Sequence, residues 1–264
     1  MINIDKIVKS MREFRNNKPF DHCVVDGFFE PEMATKLEKE FIPYNSDSLF
    51  IYDNAIENKK ALNDWNKYPE NTYNVLSYLI SNEFVKVLES LGFSLYSDPG
   101  LHGGGWHIHG AGGNLNPHLD YHIHPKLKKV RKLNIIIYLS SDLNYKDHGG
   151  HLGLWDHDEK NNAPGKLITE IEPVFNRAVL FDTTQNSWHG MSRTLNVPDG
   201  IYRKSLAIYY LTDPKISDFD GRQKALFAAR PEQKGQQYVE ETIRQRADSK
   251  SFMNVYRSNI SKTD

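Results

Sequence analysis

Leu133-Asn134-Ile135-Ile136-Ile137-Tyr138-Leu139 is β-branched and almost wholly apolar, the composition of a strand covered on both faces. Alternation puts Leu133, Ile135 and Ile137 on one face and Asn134, Ile136 and Tyr138 on the other. Outward from this stretch the same character returns. Residues 205–211 read as a second apolar strand, and 151–155 as a short one after the turn Asp147-His148-Gly149-Gly150. Residues 166–174 and 178–182 read as a hairpin around Asn176-Arg177. Short strands separated by turn residues predict a mainly β, α+β chain built on a jelly roll.

The flanks are helical. Residues 21–26 read as a short strand and 28–41 as a helix with Pro31 in its first turn. Val75, Leu76, Leu79, Ile80, Phe84, Val87, Leu88 and Leu91 form one stripe at helical spacing, predicting a helix over 73–91 that Gly92 stops. Such a stripe is ordinary core packing. Residues 236–246 predict a charged helix with no evident chemistry. The organisation expected is a single domain over 1–264, with N-terminal support over 1–92, a β core over 93–213 and an extension over 214–264.

The 264 residues carry a formal charge of −1, with 25% charged side chains of mixed sign. That balance disfavours a nucleic-acid or membrane-surface protein. Cys23 is the sole cysteine, which excludes an intrachain disulfide and points to a reducing compartment. No apolar run approaches the ~20 residues of a membrane span, and residues 1–10 lack the apolar core of a secretory signal. The expected location is cytoplasmic.

His118-Leu119-Asp120 places an imidazole and a carboxylate two residues apart, on one face if the backbone is extended. With eleven histidines, roughly one His-x-Asp pair is expected by chance. The competitor, His157-Asp158-Glu159, lies in a polar stretch ending in turn residues and reads as a solvated turn. His189 can close a set of two histidines and one carboxylate, the arrangement of non-heme Fe(II) oxygenases. Arg203 opens an apolar strand and shares a face with Ser205. A buried arginine there calls for a carboxylate, such as that of a dicarboxylate cosubstrate. A surface arginine at a strand edge fits the spacing equally well.

Taken together, six ordered motifs resemble the Fe(II)- and 2-oxoglutarate-dependent dioxygenases, in their prolyl-4-hydroxylase-like branch. They are His118–Asp120, Arg131–Leu139, Gly149–Trp155, Phe175–Phe181, Trp188-His189-Gly190 and Arg203–Tyr210. The resemblance spans residues 95–213, and residues 21–41 resemble the strand-then-helix entry of that branch. It implies a double-stranded β-helix, iron held by His118, Asp120 and His189, and 2-oxoglutarate anchored by Arg203. Tyr138 falls where the branch often shares the distal carboxylate with the arginine, and Ser205 is a nearby donor. The branch often carries a tyrosine shortly before the metal histidine. This chain has Ile108-His109 instead, so either His109 takes over that contact or the cosubstrate is held by one contact fewer.

The implied reaction hydroxylates an unactivated C–H of a peptidyl, prolyl-like or small-molecule substrate. It consumes O2 and releases succinate and CO2, with ascorbate as an accessory reductant. Trp106, His107, Tyr121, Trp188 and Arg193 are substrate-side candidates at the rim of the site. His122 belongs with them or with a solvated loop. Two other classes remain open. A cupin-like metal protein would use His107-Ile108-His109, although residues 111–117 supply no carboxylate. In a metal-free sugar epimerase or carbohydrate-binding module, His118 and Asp120 would be a polar pair.

Overall fold

The structure is a computed structural model that describes residues 1–220 and 222–256. Position 221 and the last eight residues of the extension, 257–264, lie outside the described residues. The strands are β1 (His22–Asp26), β2 (Phe50–Asp53), β3 (Glu57–Leu62), β4 (Tyr96–Ser97), β5 (Gly105–His109), β6 (Asn114–Leu115) and β7 (His118–Leu119). They continue with β8 (Val130–Tyr138), β9 (Leu152–Asp158), β10 (Ala163–Ile171), β11 (Arg177–Asp182), β12 (Trp188–Met191), β13 (Arg203–Thr212) and β14 (Leu226–Phe227). Helices α1 (Ile4–Met11), α2 (Pro31–Glu40), α3 (Glu70–Leu79), α4 (Asn82–Glu89), α5 (Tyr145–His148) and α6 (Gln237–Ala247) flank them.

The strands form two antiparallel sheets. The larger runs β1-β11-β8-β13-β5-β3-β2, with β4 on β13 and β6 on β3; the smaller runs β10-β9-β12-β7-β14. They curl face to face as a jelly roll, the double-stranded β-helix. Alternation along β8 and β13 decides where the core lies. Leu133, Ile135, Ile137, Leu206, Ile208 and Tyr210 face outward into the principal core, beneath residues of α1 to α4. The opposite parity, Asn134, Ile136, Ser205, Ala207 and Tyr209, lines the space between the sheets.

Three local readings give way to the structure. The stripe over 73–91 is two helices, because the Ser81 hydroxyl caps α4 by accepting from Phe84 N; an apolar stripe persists across such a break, so periodicity alone misses it. The 166–174 and 178–182 strands do not form a hairpin. Asn176 does turn, at φ 62°, but β10 pairs with β9 and β11 with β1 and β8. The chain crosses there from the small sheet to the large one. Third, His157 and Asp158 belong to the end of β9 rather than to a turn, and His157 Nδ1 accepts from Trp188 Nε1 at 3.0 Å.

The extension helps hold the small sheet. Arg230, 4% exposed, donates to Asn116 Oδ1 (3.2 Å), Asn114 Oδ1 (2.6 Å), Ser192 O (2.9 Å) and Met191 O (2.5 Å). It therefore ties the segment leading into β7 to the end of β12. Arg230→Met would strip the guanidinium from those buried acceptors, of which Asn116 Oδ1 keeps its bond from Asn114 Nδ2, at a cost of about 2–3 kcal/mol. A denaturant midpoint that does not move would remove Arg230 from this role.

Candidate metal centre and cosubstrate pocket

His118 and His189 are cross-strand partners between β7 and β12, and their imidazole centroids lie 4.2 Å apart. Asp120 follows β7. Its Oδ1 is 4.0 Å from His118 Nε2, and its Oδ2 is 3.9 Å from His189 Nε2. One ligand atom from each residue falls within 4.8 Å of the others, and among the described residues no other group of three or more such side chains does so. His118 Nδ1 sits 3.0 Å from Asn116 O and His189 Nδ1 2.8 Å from Ser187 O. A carbonyl only accepts, so both Nδ1 atoms carry the proton and both Nε2 lone pairs face inward.

Electrostatics prepares the same state. Burial, then the neighbouring His189, pushes His118 down to about 3, and burial lowers His189 as well. For Asp120 burial acts the other way, but the Arg131 guanidinium and the hydrogen bond from Tyr209 work against it, and the carboxyl is held below its usual range. Two neutral imidazoles and one carboxylate are the donor state a divalent cation takes. Arg131 Nη1 donates to Asp120 Oδ1 at 3.3 Å, while its guanidinium lies 3.7 Å over Tyr121 and 3.6 Å over Tyr209. The Tyr209 hydroxyl donates to the same oxygen at 3.4 Å. Oδ2 is buried without a partner. Such an orphaned anionic oxygen, on a carboxylate that faces two inward lone pairs, fits a bound divalent metal.

A cavity of about 310 Å³ opens from these three residues and reaches Arg203, Ser205, His107 and His109. Arg203 is 5% exposed, and no carboxylate pairs with it among the described residues. Its Nε donates to Gly150 O at 2.7 Å. Gly150 sits at φ +85°, and a Cβ there would come within 2.9 Å of Arg203 Cδ, so glycine makes room for the guanidinium. Tyr138 packs its ring 4.8 Å from the guanidinium, and its hydroxyl is buried without a well-formed hydrogen bond. Both ring nitrogens of His109, the cross-strand partner of Arg203, are also buried and unpaired. Burial, then Arg203 and Lys59, hold that ring neutral.

The substrate-side candidates divide. His107 and Tyr121 line the cavity. Trp106 does not, because His107 and His109 face inward on β5 and parity turns Trp106 into the principal core, stacked on Phe41 at 4.7 Å. Trp188, 1% exposed, is turned away in the same manner by His189. Arg193 is exposed outside the cavity and donates to Lys146 O at 3.4 Å. His122 also lies off the cavity lining and pairs with Asp218 at 3.1 Å.

Among the lining residues that the sequence reading did not single out are three charged or hydroxyl groups close to the site, Arg131, Tyr209 and Lys59. Arg131 stood within a quoted motif with no role, and extending the β13 alternation past Ala207 would have found Tyr209. Lys59 lies in Glu57-Asn58-Lys59-Lys60-Ala61-Leu62, which reads as a solvated charged stretch; no local signal distinguishes it.

Residues 104–211 match the family model described as the 2OG-Fe(II) oxygenase superfamily, a span that holds all three candidate ligands and Arg203. No curated protein matches the chain in sequence. Among solved structures, a prolyl hydroxylase from Trichoplax adhaerens, in complex with a hypoxia-inducible-factor peptide fragment, is 17% identical. It aligns over 79% of this chain and 90% of its own, with TM-score 0.56. A Pseudomonas putida prolyl-4-hydroxylase is 15% identical over 79% of this chain and 100% of its own, with TM-score 0.55. HygX from Streptomyces hygroscopicus, with nickel and 2-oxoglutarate bound, is 11% identical over 77% and 86%, with TM-score 0.50. At these identities the likeness is one of fold.

Proposed function

We propose, from the match of residues 104–211 to the 2OG-Fe(II) oxygenase superfamily model, that the chain is a 2-oxoglutarate-dependent oxygenase that hydroxylates a C–H bond of a peptidyl, prolyl-like or small-molecule substrate. Fe(II), 2-oxoglutarate and O2 are its cofactor and cosubstrates. In this reading His118, Asp120 and His189 hold the iron, and Arg203 takes the distal carboxylate of 2-oxoglutarate. Ser205, Tyr138 and His109 stand beside Arg203 as further contacts. The observation that carries the reading is the unpartnered Asp120 Oδ2, 3.9 Å from the inward Nε2 of His189, on a carboxylate whose other oxygen is 4.0 Å from the inward Nε2 of His118.

When bound, iron and 2-oxoglutarate would let O2 act as the oxidant, taking two electrons from the cosubstrate and two from the substrate: R–H, O2 and 2-oxoglutarate become R–OH, succinate and CO2. The chain's task is placement and exclusion. Arg131 and Tyr209 orient Asp120 through Oδ1 and leave Oδ2 for the ion. Arg203 fixes one end of the cosubstrate with a charge that a wet site would screen. Ile136, Leu152 and Met191 line the cavity and keep water from the reacting groups.

Succinate release should require both added Fe(II) and 2-oxoglutarate, stop on chelation, and return when Fe(II) is restored. Turnover that persists in excess chelator, or protein that neither binds iron nor consumes 2-oxoglutarate, would refute the reading. No helix among the described residues is long and apolar enough to cross a membrane.

A further inference from the structure

Beside the metal centre the cavity holds a cation with no assigned task. Lys59 lines it from β3. Register pairs Lys60 with Ile108 and Ala61 with His107, and continuing it sets Lys59 against His109. Since His109 pairs with Arg203 on its other side, Arg203, His109 and Lys59 form one row across three strands. Their backbones at the two ends are roughly 10 Å apart.

Of the other charges lining the cavity, the Lys224 ammonium is part-exposed and lies over the Phe252 ring at 3.4 Å, and the rest are matched. Asp120 meets Arg131 at 3.3 Å, and Glu57 meets Arg246 at 3.3 Å and the Tyr256 hydroxyl. A dianionic 2-oxoglutarate balances a divalent ion. On the large sheet that leaves the charges of Arg203 and Lys59. The Lys59 ammonium has the Tyr52 ring at 4.9 Å but no carboxylate within ion-pair distance among the described residues. The histidines flanking it are neutral, held so by burial first. A half-buried, unmatched ammonium lining a ligand cavity is costly unless a ligand brings the counter-charge.

We propose that Lys59 receives the carboxylate of a small-molecule substrate, so that the molecule oxidised is a compact carboxylic acid rather than a stretch of peptide. This rests on the oxygenase reading above. A single ammonium on its flexible stem matches the single charge of one carboxylate. Size agrees. About 310 Å³ is at the low end of small-ligand sites, ~300–1,000 Å³, and 2-oxoglutarate must share it. Phe252, Met253 and Tyr256 of the extension also line the cavity, which leaves less room for a polypeptide than for a metabolite.

The test uses the protein loaded anaerobically with Fe(II) and 2-oxoglutarate, probed with the free L-amino acids, small hydroxy and sugar acids, their carboxamides, and amidated proline-rich peptides. Calorimetry reads binding, and admission of O2 then reads succinate. At least one acid should bind saturably and stimulate succinate release, with its carboxamide weaker by on the order of tenfold or more. Lys59→Met should raise the half-saturating acid concentration by a similar factor, and Lys59→Arg should recover most of it; melting curves verify that both fold. Amides or peptides that bind as well as acids, or a panel in which no acid binds, would overturn the proposal. So would Lys59→Met raising the 2-oxoglutarate KM in place of the acid's, which would make Lys59 a cosubstrate anchor. Wild-type protein with no iron- and 2-oxoglutarate-dependent succinate release would instead sink the oxygenase reading itself.

Discussion

Alanine in place of His189 is expected to abolish iron-dependent turnover. The imidazole contributes one of two inward Nε2 atoms, and its Nδ1–H bond to Ser187 O at 2.8 Å holds it in that orientation. Without it the ion would keep His118 and Asp120 alone. Disturbing the groups that merely orient a ligand costs about 10–100-fold in metal affinity, so removing the ligand should cost more than ~100-fold. The vacated space lies beside Phe181, 4.7 Å from the ring, and the fold should survive its loss. Melting of the metal-free proteins tests this directly. Iron bound at one equivalent with more than a tenth of wild-type turnover would remove His189 from the ligand set.

The second large effect concerns cosubstrate choice. Arg203→Met keeps an apolar stem on β13 but removes the charge. Truncating one partner of a buried, hydrogen-bonded charge pair costs about 2–5 kcal/mol, so the half-saturating 2-oxoglutarate concentration should rise on the order of a hundredfold. A sharper reading comes from 2-oxobutyrate, which lacks the distal carboxylate. Wild-type protein should prefer 2-oxoglutarate strongly, and the variant should lose most of that preference. A preference unchanged by the substitution would place the distal carboxylate elsewhere, with Lys59 the next cation to test.

His189 and Arg203 stand out in the sequence through the six ordered motifs, not through spacing, which leaves Arg203 equally readable as a surface residue at a strand edge. Strand parity separates Leu133, Ile135 and Ile137 from Asn134, Ile136 and Tyr138, and the structure keeps that division. The same rule corrects the sequence reading of Trp106: with His107 and His109 facing the cavity, residue 106 belongs to the opposite face. Where a partner is distant, local pattern carries nothing. Arg230 acts on Asn116, 114 positions away, and Arg246 on Glu57, 189 positions away. No window along the chain connects them. The turn at Asn176 was legible for its backbone, but the strands it joins belong to different sheets, and pairing is decided by the whole topology.

The register that opposes His118 to His189 couples two events. β7 is only two residues long, and its single Cα pairing with β12 is a weak closure for the length of chain between them. An ion held from both strands would be a thermodynamic clasp, joining them wherever the backbone alone lets them part. Loading the site and zipping the small sheet then become one equilibrium, and the energy of binding iron is spent partly on closing the barrel around it.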